Sequence, residues 1–260
     1  MPHFDFLTIA SISVFAAVIL LIAFDVVDML LAAMLGVSVL IVLGVYSIQD
    51  VIDINRTADG TLALLFGGMV VARTLSTTGI FEFLGTVYLR ATRGSGRRFL
   101  LGLFLLVAPL CAVLPNATAV ILLAPIIIRV AKALKVDFVG PMILTAIISN
   151  SAGMLTLVGD PATFLVGSTI GMTFGQYLQK VSLGGLVSLL VIIPLVPLLM
   201  KDVWQAQHTL PDDLKIKPLE RPGYALFSLL VLVLMVVLFI FGEKAPVQLL
   251  PPVVAIIAAC

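Results

Sequence analysis

Long apolar blocks separated by short polar breaks run along this chain, and each block predicts a helix able to cross or enter a membrane. Blocks of about 17 to 22 residues recur from residue 7 to residue 260, enough for a hydrocarbon core of about 30 Å. Residues 7–24 and 29–48 predict two spans joined by Phe24-Asp25-Val26-Val27-Asp28. A polar linker is expected over 50–60, then a third span from Thr61 that contains Gly67-Gly68 and Arg73 and runs into an amphipathic stretch over 79–90. Further spans are expected over 181–200 and 224–241, separated by a polar loop, 201–221. The pattern divides the chain into N-terminal scaffold helices with an external linker (1–60), a core (61–200), a cytoplasmic loop (201–222) and a connecting span with the start of a further helix (223–260).

Two blocks are interrupted inside. Residues 99–133 are almost uncharged up to Arg129, with a break at Leu114-Pro115-Asn116-Ala117-Thr118. Basic residues lie at both ends: Arg90, Arg93, Arg97 and Arg98 before it, and Arg129, Lys132 and Lys135 after it. Basic loops stay cytoplasmic, so both ends belong on one side. Arms of about 15 residues, short for a span, favour a re-entrant hairpin over two short tilted crossings. Residues 138–171 break at Ser149-Asn150-Ser151-Ala152-Gly153 and again at Gly159-Asp160-Pro161. Proline suits the first position of a helix and aspartate suits the cap before it, so this block reads as one discontinuous span.

Composition supports the same class. Hydrophobic residues make up 61% of the chain, charged residues 11%, and the mean hydropathy is +1.23. A soluble domain carries roughly 25% charged residues. Helices are expected because a lipid-exposed backbone must satisfy its own hydrogen bonds, and runs such as 121–128 lack the alternation of a barrel strand. The formal net charge is +1, and no basic tract is present to bind nucleic acid. Cys111 and Cys260 lie far apart in apolar sequence and read as free thiols rather than a metal or redox motif. The first block lacks a basic leader and a cleavage site, so it is expected to stay as a helix. Loops assigned inside hold eleven lysines and arginines: four in 90–98, three in 129–135 and four in 201–221. Those assigned outside hold three, Arg56, Lys180 and Lys244. This places the N-terminus outside a multi-pass cell membrane, expected to be a bacterial inner membrane. The apolar run after Pro251 is too short to span, so the chain is expected to be part of a longer protein.

Interrupted helices in an apolar chain point to a binding site, because unpaired backbone groups are tolerated only where they line a polar cavity. Asn116 and Thr118 bring amide, carbonyl and hydroxyl groups to the first break, and Asn150 and Ser151 bring them to the second. These residues either cap helix ends or offer neutral oxygens to a sodium ion, with Asn116 and Asn150 the foremost candidates. Asp160 has three roles open to it: ligand of a coupling cation, proton carrier, or helix cap. Thr156 and Thr163 are weaker candidates, since threonine often bonds its own helix. Arg73 is open between a counter-ion and a snorkelling side chain. Transport is favoured over an intramembrane enzyme, which would need a second carboxylate or a histidine motif that the spans lack. A passive channel and a non-transporting membrane scaffold are the remaining alternatives.

The segments Leu114-Pro115-Asn116-Ala117-Thr118-Ala119-Val120 and Ser149-Asn150-Ser151-Ala152-Gly153, followed by Thr156-Leu157-Val158-Gly159-Asp160-Pro161, carry a resemblance, as does Leu65-Phe66-Gly67-Gly68-Met69-Val70 through Thr78-Gly79-Ile80-Phe81. Over about residues 50–240 the chain resembles the first half of an ion transporter superfamily. That group includes divalent-anion/sodium symporters, citrate-transporter-like permeases, arsenite permeases, NhaD-type sodium/proton antiporters and the pink-eyed-dilution protein. The resemblance implies an elevator-type transporter of two inverted repeats, usually a homodimer, with a re-entrant hairpin and a broken helix in each repeat. It implies cation ligands among Asn116, Ala117, Thr118, Ser149, Asn150, Ser151 and Gly153, with Asp160 beside them. Asn116, Thr118, Asn150, Thr156, Pro161 and Thr163 are expected to face substrate. Pro115 stands where the symporters have serine, and Asp160-Pro161-Ala162 leans toward the permease, antiporter and pink-eyed-dilution branches. The expected function is secondary transport of a small anion, possibly a carboxylate, coupled to sodium, with sodium/proton antiport or arsenite-type permeation as alternatives. No cofactor is expected beyond the coupling sodium ion or proton, and a matching second repeat is expected to complete the site.

Overall fold

Apolar positions on all sides of a helix leave it no water-facing stripe, and the first helices of this chain have that character. The computed structural model describes residues 6–46, 48–208, 221–242 and 249–260, with 48–59 described as backbone only. Two units are distinguished, residues 1–58 and 59–260. In the first, α1 (Phe6–Ala23) and α2 (Met29–Val42) pack on each other. Asp28 caps α2, its carboxylate accepting from the Leu30 and Leu31 amides. No residue of α1 is buried, so its apolar surface is left for lipid.

The second unit holds the rest of α3 (Ile48–Ser76), then α4 (Ile80–Thr92), α5 (Gly96–Cys111), α6 (Asn116–Ala133), α7 (Val139–Gly153), α8 (Pro161–Thr169), α9 (Phe174–Lys180), α10 (Ser182–Leu199), α11 (Lys201–Gln205), α12 (Pro222–Phe241) and α13 (Pro251–Ala259). Consecutive helices α5 and α6, joined by a short turn, pack on each other and on α7 as a helical hairpin. Phe99, Leu103 and Val107 of α5 meet Leu123 and Ile127 of α6 and Ile148 of α7, all with no exposed surface. A second cluster joins Leu64 and Val71 to Leu157, Phe164, Met235, Phe239 and Val254. Between membrane helices the apolar gain is close packing rather than escape from water.

Four described helices, α1, α6, α10 and α12, are long and apolar enough to cross a membrane. A further pair, Gly60–Ser76 and α4, passes the same test together but bends by 69°. The all-helical, multi-pass membrane architecture read from the sequence therefore stands. Several details differ. The segment 50–60, expected as a linker, is helical and belongs to α3; it holds no proline to break the helix. The second helix ends at Val42 rather than near residue 48, where Leu43, Gly44 and Val45 turn back onto the Val39, Ile41 and Leu40 carbonyls. The α6 arm has 18 residues, long enough to cross, rather than about 15. A short helix, α9, follows the broken span on a capping box between Thr173 and Gln176. Residues 209–220 and 243–248, which include Lys215, Lys217 and Lys244 from the loop count, lie outside the described residues.

Candidate ion and substrate site at the helix break

The break between α7 and α8 is filled by the tip of the α5–α6 hairpin. Helix α7 continues through Ser149, Asn150 and Ser151 and stops at Gly153; α8 starts at Pro161. Asp160, in extended conformation, accepts from the Ala162 amide through Oδ2 at 3.0 Å and so caps α8 as its sequence position suggests. Its other oxygen, Oδ1, accepts from Asn116 Nδ2 at 3.2 Å. Asn116 is the first residue of α6. The carboxylate thus stands at the starts of two helices, whose free amides and dipoles favour negative charge there.

The same place gathers helix C-termini. A side chain added at Gly159 would meet the Cys111 carbonyl at 2.7 Å and the Gly153 carbonyl at 2.8 Å, so the ends of α5 and α7 converge on this glycine. A Cβ on Gly153 would meet Asn116 Nδ2 at 2.6 Å and Oδ1 at 3.0 Å. Only glycine admits the Asn116 amide at that distance. With Nδ2 committed to Asp160, Asn116 Oδ1 is buried and has no hydrogen-bond partner. An orphaned neutral oxygen near the carbonyl ends of two helices is the donor chemistry that suits a hard cation.

Distant groups hold the unwound segment. Thr156 donates to the Ala112 carbonyl at the hairpin tip and accepts from the Gly159 amide at 3.0 Å. Tyr177 donates to the Met154 carbonyl at 3.1 Å, and Ser182 to the Leu155 carbonyl at 2.5 Å. Thr163 donates to the Asp160 carbonyl at 2.8 Å, within its own helix.

The sequence-named residues fall into two groups. Asn116, Gly153, Thr156, Asp160, Pro161 and Thr163 come together at the tip and break. Ser149 donates to the Ala146 carbonyl of its own helix, and Ser151 pairs with Ser188 of α10 at 2.9 Å, joining the two helices. Asn150 and Ala117 are exposed and Thr118 is half-buried. Asn150 and Ser151 are expected where the first half-helix ends; the helix runs two residues past Ser151, to Gly153. Tyr177 and Ser182 were missed; the Thr-x-x-Gln capping box at Thr173 was the sequence signal for the helix that presents Tyr177.

An apolar helical chain whose interrupted span is filled by a helical hairpin is a polytopic membrane protein. The chain belongs to the citrate transporter family, whose sequence profile matches residues 19–260. It is 40% identical over 250 residues to an uncharacterized transporter of Synechocystis, covering 96% of this chain and 56% of that protein. An uncharacterized transporter of Mycobacterium tuberculosis is 29% identical over 258 residues, 97% of this chain and 60% of its own length. The human P protein is 33% identical over 205 residues, 74% of this chain and 24% of that protein. The chain therefore spans a little over half of the first two relatives. The family and the P protein match agree with the resemblance read from the tip and break motifs.

Proposed function

We propose that the chain supplies one repeat of a secondary transporter that moves a small carboxylate anion coupled to sodium. The observation that supports this reading is the crossing of four helix ends at Asn116 and Asp160, with Asn116 Oδ1 buried and unpartnered. The carbonyl ends of α5 and α7 favour a cation, and the amide ends of α6 and α8 favour an anion. Such half-helix ends at membrane depth are the means by which transporters bind ions and anionic substrates together. The carboxylate class is taken from the citrate transporter family to which the chain belongs.

In this reading sodium sits against Asn116 Oδ1, and the exposed side of the tip, at Ala117 and Asn150, faces a second repeat and the substrate. The relatives are longer than this chain, which leaves room for such a repeat. The α5–α6 hairpin is re-entrant, two copies of the two-repeat protein form a homodimer that moves substrate by an elevator motion, and the turn over 90–98 faces the cytoplasm of a bacterial inner membrane with the N-terminus outside. A cysteine placed near Arg97 that labels only from outside would reverse this topology.

The deciding experiment is uptake of labelled carboxylates into proteoliposomes, with and without a sodium gradient, alongside a pH-sensitive dye. Sodium-dependent accumulation that Asn116→Ala reduces by about tenfold or more supports the reading. A sodium-driven pH change without anion uptake would replace it with sodium/proton antiport, and make Asp160 the group to test first. Uptake indifferent to sodium and to Asn116 would reject both.

A further inference from the structure

Away from the helix break, positive charge is concentrated where the turn after α4 meets the chain leaving α11. Arg93 and Gly94 both have positive φ, 47° and 77°, which folds the turn back on itself. Gly94 O then accepts from the His208 amide at 2.9 Å, and the Gly96 amide donates to Ala206 O at 2.9 Å. Ser95 and Gln207 form a single antiparallel bridge between these bonds. The His208 carbonyl lies so close to Gly94, and the Val203 carbonyl to Gly96, that neither position has room for a side chain. Two segments more than 100 residues apart are clasped through their backbones.

The clasp builds a cavity of about 500 Å³ lined by Arg93, Gly94, Ser95, Arg98, Gln207 and His208. The intervening Arg97 is occupied elsewhere, its guanidinium 5.4 Å from the centre of the Trp204 ring. Among the described residues no acidic side chain lines the cavity. Arg93 and Arg98 are exposed and make no ion pair with a described residue. His208 Nδ1 is buried and has no hydrogen-bond partner. The Ser95 hydroxyl, which precedes α5, makes no capping bond. The uncommitted groups are therefore two guanidinium forks, a hydroxyl, a ring nitrogen and the Gln207 amide, nearly all of them donors. A tetrahedral oxyanion with several acceptor oxygens matches such a set, and arginine forks suit it geometrically.

We propose that this cavity binds a phosphate group. An anionic phospholipid headgroup and a soluble phosphate present the same oxyanion chemistry to this lining. The proposal does not depend on the transported substrate or on the coupling ion.

Trp204, the only tryptophan in the chain, reports on the clasp. The protein is placed in phosphatidylcholine nanodiscs and its tryptophan emission followed in two titrations. One raises the phosphatidylglycerol content of the disc, and the other adds inorganic phosphate to the solution. A saturable change is expected in at least one. It should weaken by about tenfold or more in Arg93→Gln/Arg98→Gln, and stay the same in Arg129→Gln/Lys132→Gln, which removes equal charge from α6. His208→Gln should weaken it less. The substituted arginines are exposed, so unfolding midpoints without added anion should match the parent. Saturation by lipid alone identifies a headgroup site, and saturation by phosphate alone a soluble ligand. Equal loss in both double variants, or no saturable change in either titration, would overturn the proposal.

Discussion

The chain interrupts its membrane helices at two kinds of place, and they are held in different ways. At the α3–α4 bend the freed carbonyls are answered locally: Ser76 donates to Arg73 O, Thr77 to Thr74 O and Thr78 to Leu75 O, and Gly79 turns the chain with φ of 77°. At the α7–α8 break the partners come from α6, α9, α10 and the α5–α6 turn. A self-contained bend redirects a helix and asks nothing of the rest of the molecule. A break held by four other elements is coupled to each of them, so an ion or substrate that alters it can move them.

The largest expected effect is at Gly153. Valine there must displace the Asn116 amide, and uptake should fall by about 100-fold, as misplacement of positioning groups commonly does. Gly79→Ala at the bend should cost about 1 kcal/mol for a left-handed backbone and leave uptake within about twofold. Initial uptake rates alongside detergent unfolding separate the two, and equal losses of uptake would erase the distinction. Next is Asp160→Ala, which removes a helix cap and strands the Asn116 donor, for a loss of about 2 kcal/mol in unfolding free energy. Asp160→Asn, which still offers an acceptor, should recover about half of it. Tyr177→Phe leaves the Met154 carbonyl without its donor and should cost about 0.6 to 1 kcal/mol in the same assay. Smallest is Thr77→Val at the bend, expected within about 0.5 kcal/mol of the parent. A Thr77→Val loss as large as that of Asp160→Ala would mean the bend, too, is held from a distance.

Much of this arrangement was legible along the chain because its signals are local. Pro115-Asn116 marks the start of α6 and Asp160-Pro161 the start of α8, since proline at a first turn and aspartate before it act on the nearest amides. The end of α7 was harder to place. Ser149 and Asn150 look like terminators, yet a serine hydroxyl can bond its own helix, as Ser149 does, and the helix continues. What the sequence hides is pairing across distance. Nothing near Asn116 indicates that its amide meets a carboxylate 44 residues away; Tyr177 looks like a loop residue and Ser182 like the start of a span until the fold brings them to Met154 and Leu155.

Cys111 is the last residue of α5, with no exposed surface, and its carbonyl faces Gly159 across the break. Alkylation of Cys111 must therefore wait for the hairpin tip to part from the broken helix. Its rate with a membrane-permeant maleimide, followed as sodium is added, measures how often the tip opens, with no engineered label at the site.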